Sequence, residues 1–149
     1  GAWESPLFEE IPRTPLHRCH EEAPRVLIDN DRTSFRLLPD PSFQALEELE
    51  DALLKERAGG KGRWVLHPAA VRALAAFTAA CIRKEATATR WTGEGEQGST
   101  LHIQAPGGAI VESDPELRVV RFVREGRGAL LSEYARKVVE QSLTAGAQS

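Results

Sequence analysis

The residues most suggestive of chemistry form a short cluster near the start of the chain, His17-Arg-Cys19-His20, followed by two glutamates. Imidazole and thiolate groups bind zinc, but a structural zinc site needs four ligands, usually supplied as two spaced pairs. The remaining histidine and cysteine residues are His67, Cys81 and His102, which are far apart in the sequence and provide no second pair of ligands. The sequence therefore predicts no metal site, and it contains no fingerprint of a cofactor site.

The chain also lacks a recognisable catalytic arrangement. Cys81 lies in an apolar segment, where a cysteine behaves as a small buried hydrophobe. No serine or cysteine occupies a nucleophile-elbow sequence. No catalytic residue is therefore assigned, and the balance is against an enzyme. A small-molecule or hydrolytic site around His67, His102 and Glu112 stays open as an alternative, and a concave pocket gathering them would support it.

Two glycine-rich segments resemble anion-binding loops only in composition. Gly59-Gly-Lys-Gly-Arg63 follows a predicted helix and lacks the Ser or Thr of a phosphate-binding P-loop, which favours a surface loop. Gly126-Arg-Gly128 precedes the last predicted helix, where free N–H groups attract anions. Arg124 and Arg127 add positive charge there. A plain strand-to-helix turn is the simpler interpretation of this second segment.

Basic residues are concentrated in the last third of the chain, although 22 acidic and 19 basic residues give a net charge of −3. On a predicted strand, alternation would place Arg118 and Arg124 on one face and Arg121 on the other, so no continuous basic stripe is expected. The candidate residues for binding an anion or a nucleic acid are Lys61, Arg63, Arg118, Arg121, Arg124 and Arg127.

Composition indicates one globular domain. The chain has 149 residues, 41% hydrophobic and 28% charged, which is ordinary for a globular protein. We find no signal peptide and no apolar run suited to a membrane. Two cysteines make no disulfide framework, so we expect an intracellular protein, cytoplasmic or nuclear. The absence of Met and the initial Gly1-Ala2 suggest a piece excised from a longer protein.

The secondary-structure elements that would hold these residues are organised around a helix predicted over residues 66–84. It is alanine-rich and apolar nearly all round, so we expect it to be the buried centre of the fold. Pro68 is placed as the first helical residue. An acidic amphipathic helix is predicted over residues 41–57, capped by Asp40 or Ser42. Its inward stripe is Phe43, Leu46, Leu49, Leu53 and Leu54, and its solvent face is Glu47, Glu48, Glu50 and Asp51.

The remaining elements are strands and a closing helix. Residues 25–29 and 34–38 predict a hairpin. A C-terminal meander of about four strands is predicted over residues 86–92, 101–104, 109–112 and 117–124, the last being the strongest. A helix over residues 129–143 follows, with Leu130, Leu131, Tyr134, Val138, Val139 and Leu143 inward. The prediction is an α+β domain over residues 25–145, with an antiparallel sheet of four to six strands and a frayed tail at 146–149.

Residues 1–24 contain four of the nine prolines, so we expect an extended arm without a long helix. Its apolar side chains, Trp3, Leu7, Phe8, Ile11 and Leu16, are predicted to contact the domain or a partner. The function favoured by the sequence is a non-catalytic protein–protein interaction domain, an adaptor or scaffold, that binds another protein or itself as a homodimer. A nucleic-acid-binding module using the basic residues above is the first alternative.

Overall fold

A computed structural model describes residues 27–29, 34–36, 40–59, 68–86, 88–92, 100–105 and 107–147, and every structural statement below concerns these residues. The helices are α1 (Phe43–Gly59), α2 (Pro68–Glu85), α3 (Pro115–Glu125) and α4 (Leu131–Ala147). A 3₁₀ turn, Gly126–Ala129, joins the last two. The strands are β1 (Leu27–Asp29), β2 (Ser34–Arg36), β3 (Ala88–Thr92), β4 (Thr100–Gln104) and β5 (Ile110–Ser113).

The centre of the fold is α2, as its composition predicts. Its residues from Arg72 to Ala79 are all buried, and so are Cys81 and Ile82. Pro68 is the first helical residue, where its missing N–H costs no hydrogen bond. Apolar side chains of α1, α3, α4 and β4 pack in one core with α2. The helix is therefore covered on several sides, which explains why it carries so few polar residues.

Helix α1 begins after Ser42, whose Oγ accepts a hydrogen bond from the backbone N–H of Ala45 at 3.0 Å. Ser42 is thus the cap, rather than Asp40. The predicted leucine stripe is buried, with Phe43 partly buried against it. One assignment was wrong: Glu50 is only 5% exposed and lies on the inward face. Its position follows from helix geometry, since it is four residues after buried Leu46 and three before buried Leu53.

The two sheets are small and antiparallel. Strands β1 and β2 pair as the predicted hairpin. Strands β3, β4 and β5 form a second sheet in that order, with Leu101 and Ile103 of β4 fully buried against the helices. The turn into β5 uses Gly108, which has a φ of 93°, a conformation that glycine adopts without strain. Its N–H donates to the carbonyl of Ala105 at 2.9 Å.

The predicted strand over residues 117–124 is wrong, because this segment is helix α3. Asp114 caps it: the N–H of Leu117 donates to Asp114 Oδ1 at 3.1 Å, and Pro115 occupies the first helical turn. Val119 and Phe122 are buried three residues apart, a spacing that a strand would place on opposite faces. The Asp-Pro pair therefore marks a helix start rather than a turn between strands.

The protein is a mixed helix-and-sheet fold of the α+β type, as expected. The predicted sheet of four to six strands with a four-stranded C-terminal meander is not confirmed, since the second sheet has three strands within the described residues. Leu143 is a smaller correction: it was expected inward on α4 and is 52% exposed. In the described part of the chain, no helix is long and apolar enough to cross a membrane.

Candidate functional site

Within the described residues, the outward side of α3 groups exposed apolar and basic side chains. Leu117, Val120, Arg121 and Arg124 recur there at the helical spacing of three and four residues, so their side chains lie on one face. We call these four residues the α3 surface. Leu117 is 56% exposed and Val120 is 38% exposed. The surface combines apolar area with two guanidinium groups.

Helix formation also changes how the arginines are arranged. Arg118, Arg121 and Arg124 recur every third residue and are all exposed, so they occupy neighbouring positions on the outward side of α3. The expectation that alternation separates Arg121 from the other two was therefore wrong. Arg127 is exposed in the following 3₁₀ turn. The helix therefore brings three of the six basic residues proposed to bind an anion to its outward side, and Arg127 follows in the next turn.

Local contacts leave most of this positive charge available. Arg121 Nη2 lies 3.4 Å from Glu125 Oε2, in a pair in which both side chains are about half exposed. The Arg118 guanidinium lies over the Tyr134 ring, 5.0 Å from its centre. Within the described residues, the side chains of Arg124 and Arg127 make no ion pair. Exposed pairs of this kind contribute little stability, so a charged partner can replace the Arg121–Glu125 contact.

The base of α3 is held by the core and by an ion pair with α2. Val119 and Phe122 are fully buried beneath the outward face. At the N-terminal end, Arg72 Nη1 lies 3.1 Å from Glu116 Oε2, and Arg72 itself is only 5% exposed. These contacts fix the orientation of the helix. The α3 surface is therefore presented on a rigid element rather than on a loop.

Helix α1 secures the other end of α3. Arg57 donates from Nη2 to the carbonyl of Arg124 at 2.9 Å and from Nε to that of Val123 at 3.3 Å. These carbonyls belong to the last turn of α3, where a cation is favoured by the helix dipole. Gly126 follows directly, and its own N–H donates to the carbonyl of Phe122. The arrangement satisfies the C-terminal end of the helix with a side chain from a distant part of the chain.

The Glu50 side chain of α1 caps the start of α4, as Arg57 caps the end of α3. Its Oε2 accepts the N–H groups of Leu131 at 2.9 Å and Ser132 at 3.2 Å. Its other oxygen accepts the Ser132 hydroxyl. Burial raises the pKa of the Glu50 carboxyl, although these hydrogen bonds act in the opposite direction. Two of the N–H groups that an external anion would use after Gly126-Arg-Gly128 are thus already engaged.

Other candidate residues lie apart from α3. Burial raises the pKa of the Cys81 thiol to about 12, and its Sγ donates to the carbonyl of Ser42 at 3.4 Å, so this cysteine is placed as a packed residue. His102 and Glu112 are neighbours across β4 and β5. Within the described residues, no three His, Cys, Asp or Glu side chains are arranged to hold a metal ion.

Several predicted site residues lie outside the described part of the chain. They are the arm residues Trp3, Leu7, Phe8, Ile11 and Leu16, the loop residues Lys61 and Arg63, and the cluster His17-Arg-Cys19-His20 with His67. Sequence reasoning missed Leu117 and Val120 as surface residues, because the strand assignment gave no reason to group them. The signal that would have found them is the helix start at Asp114-Pro115-Glu116.

Comparisons with known proteins bring no further identification. No protein-family model, curated protein or solved structure matches this chain.

Proposed function

We propose that this protein is a non-catalytic protein–protein interaction domain that binds an acidic segment of another protein on the α3 surface. The observation that carries the proposal is the grouping of exposed Leu117 and Val120 with Arg121 and Arg124 on one rigid helix face. Arginine and large apolar side chains are the usual sources of affinity in protein interfaces. The partner has acidic side chains to meet the arginines and apolar side chains to cover Leu117 and Val120.

The energetic argument favours such a mixed partner over a purely charged one. Covering the exposed parts of Leu117 and Val120 contributes about 1 kcal/mol each, given roughly 25 cal/mol per Å² of apolar area. Carboxylates facing Arg121 and Arg124 add charge-assisted hydrogen bonds and orient the partner. An acidic segment without apolar residues leaves the leucine and the valine in water. We therefore expect binding to depend on both kinds of contact.

Binding to nucleic acid is the second candidate, and the helical arrangement of Arg118, Arg121 and Arg124 favours it more than the strand assignment did. Phosphate binding by these groups releases counterions, so affinity falls steeply with salt. Leu117 and Val120 have no role in that mode. The two candidates thus differ in a measurable way, since only protein binding requires the apolar residues.

We place the protein inside the cell, which suits the free, buried thiol of Cys81. The arm residues Trp3 to Leu16 remain a proposed second contact with the partner. A second copy of this chain is another source of an acidic surface, because Glu48 and Asp51 are exposed on α1. Size measurement in solution distinguishes that case.

The experiment is fluorescence anisotropy with a labelled synthetic peptide in which Glu and Leu recur three and four residues apart, so that both lie on one face of a helix. We expect saturable binding that weakens about tenfold or more in Arg121→Glu/Arg124→Glu and in Leu117→Ser/Val120→Ser. Lys55→Glu reverses the charge of an exposed residue on α1; it is the matched control, and we expect it to retain the affinity. A peptide with Ser in place of Leu binds more weakly. Equal affinity of wild type and both double variants would refute the proposal.

Labelled duplex DNA tests the alternative in the same format. If DNA binds with a steep salt dependence that Arg121→Glu/Arg124→Glu abolishes and Leu117→Ser/Val120→Ser leaves intact, nucleic acid is the partner class. If the peptide binds and DNA does not, the protein-interaction proposal stands.

A further inference from the structure

A second surface whose side chains could bind a ligand lies on the side of the β3–β4–β5 sheet that faces away from the helices. Strand alternation turns Leu101 and Ile103 of β4 into the core and leaves His102 and Gln104 on the opposite side. We call the opposite side the outer sheet face. Its residues on the three strands are Ala88, Arg90, His102, Gln104, Ile110 and Glu112.

The strand register sorts these residues into two rows. One row is polar and runs Arg90, His102, Glu112 across β3, β4 and β5. The neighbouring row runs Ala88, Gln104, Ile110. Residues in such rows lie close enough for direct contact. A charged row therefore lies directly beside a row whose ends are apolar.

A cavity of about 290 Å³ opens over these rows. Its lining residues are Ala88, Thr89, Arg90, His102, Gln104 and Ile110. The volume lies near the lower limit for ligand pockets, about 300 Å³, and fits a small molecule rather than a peptide. The described residues that line the cavity all belong to the three strands of the sheet.

The groups around this cavity favour a negatively charged ligand. Arg90 is an exposed cation that forms no ion pair within the described part of the chain. Gln104 adds an exposed amide that donates hydrogen bonds. His102 is mostly buried, with 18% of its side chain exposed, and its Nε2 lies 3.4 Å from Glu112 Oε1. Glu112 is absent from the described residues that line the cavity. Among the described residues, the lining carries a permanent positive charge and no carboxylate.

The apolar row sets the second requirement. Ile110 is 53% exposed, and Ala88 is exposed on the opposite side of Gln104. A ligand group that covers Ile110 removes apolar area from water. We propose that the outer sheet face binds a small organic anion, in which one carboxylate or phosphate group contacts Arg90 and a short apolar portion contacts Ile110. This site shares no residue with the α3 surface and does not depend on the function proposed there.

The test is a titration followed by two-dimensional ¹H–¹⁵N NMR of the full chain, with isobutyrate, acetate and inorganic phosphate as separate probes. We expect saturable shifts of backbone signals in β3, β4 and β5 with isobutyrate, and weaker binding of acetate, which lacks the branched apolar group. Tighter binding of phosphate than of isobutyrate would identify the anionic group as a phosphate, and the reverse order would identify it as a carboxylate. Either order supports the site.

Two variants make the test specific. Arg90→Gln removes the cation at an exposed position and is expected to weaken binding of the preferred anion about tenfold, while Lys55→Gln on α1 leaves it unchanged. Ile110→Thr is expected to bring the affinity for isobutyrate down to that for acetate. The proposal is overturned if no probe gives saturable shifts at the sheet. It is equally overturned if folded Arg90→Gln titrates like the wild type.

Discussion

The carboxylate of Glu50 on α1 accepts hydrogen bonds from both the backbone N–H and the hydroxyl of Ser132 on α4. This contact joins residues 82 positions apart and caps the start of α4 from a neighbouring helix. Arg57, seven residues later on α1, caps the end of α3. A single helix thus satisfies both helix ends that flank the Gly126–Ala129 turn, and in doing so it fixes α3 and its outward surface.

Replacing Glu50 tests this capping role. Glu50→Ala leaves the N–H groups of Leu131 and Ser132 buried without their acceptor, and we expect the free energy of unfolding to fall by about 3 kcal/mol. Glu48→Ala is the matched control, because Glu48 is exposed on the same helix and its loss should change stability little. Urea unfolding measures both. Equal stability of the two variants would contradict the assigned role.

The pH dependence of the free energy of unfolding should report the protonation of Glu50. Burial is the main cause that raises the pKa of the Glu50 carboxyl above its ordinary value of 4.5. The folded protein therefore keeps this proton at pH values where the unfolded chain has lost it. The resulting stabilisation is fully present below pH 4.5 and is lost as pH rises through the folded pKa.

Comparison of wild type with Glu50→Gln isolates this effect. We expect the stability of the wild type relative to the variant to increase as pH falls from neutral to 4.5 and then to level off. Glu48→Gln, followed by the same urea titrations, serves as the exposed reference. A wild type that loses stability relative to Glu50→Gln on acidification would mean that the carboxyl has a lowered pKa in the folded state.

The turn after α3 gives a prediction from backbone geometry. Gly126 has a φ of 62°, and a Cβ placed there would lie 2.9 Å from Arg57 Nη1. Gly126→Ala therefore combines backbone strain with displacement of the arginine that caps α3, and we expect a loss of about 2 kcal/mol. Gly59→Ala meets nothing within 4 Å and is the control, expected to be neutral or slightly stabilising. Thermal unfolding that ranks the two variants the other way would contradict this account.

The Arg72–Glu116 and Arg121–Glu125 ion pairs of α3 should differ in strength. Glu116→Ala leaves Arg72, which is 5% exposed, without this carboxylate and is expected to cost about 2 kcal/mol. Glu125→Ala removes a half-exposed partner of Arg121 and is expected to change stability by less than about 0.5 kcal/mol. Urea unfolding of both variants checks the difference. Equal losses would mean that the Arg72 pair is as weak as a surface pair.

Local patterns were sufficient to predict much of the fold. The apolar, alanine-rich segment identified α2 as buried, and the strands predicted at 101–104 and 109–112 lie close to the observed β4 and β5. The strand expected at 117–124 was wrong because its three valines favour strands, whereas the capping Asp114, Pro115 and the buried pair Val119 and Phe122 require a helix. Tertiary packing overrode residue propensity there.

The candidate site was less predictable for a physical reason. The basic residues could be counted from the sequence, but their grouping depends on whether the segment has a period of two or of 3.6 residues. The role of Glu50 depends on Ser132, which no local pattern connects with it. Similarly, Arg90, His102 and Glu112 form a row only through the register of three strands. Long-range contacts of this kind leave no local signal.

The measurement that tests the central claim most directly is NMR mapping of the amphipathic Glu/Leu peptide on the ¹⁵N-labelled protein. We expect the largest shifts at Leu117, Val120, Arg121 and Arg124, and we expect them to vanish in Arg121→Glu/Arg124→Glu but to remain in Lys55→Glu. Saturable shifts centred on another element, or shifts on α3 that survive the double charge reversal, would contradict the assignment of α3 as the docking surface.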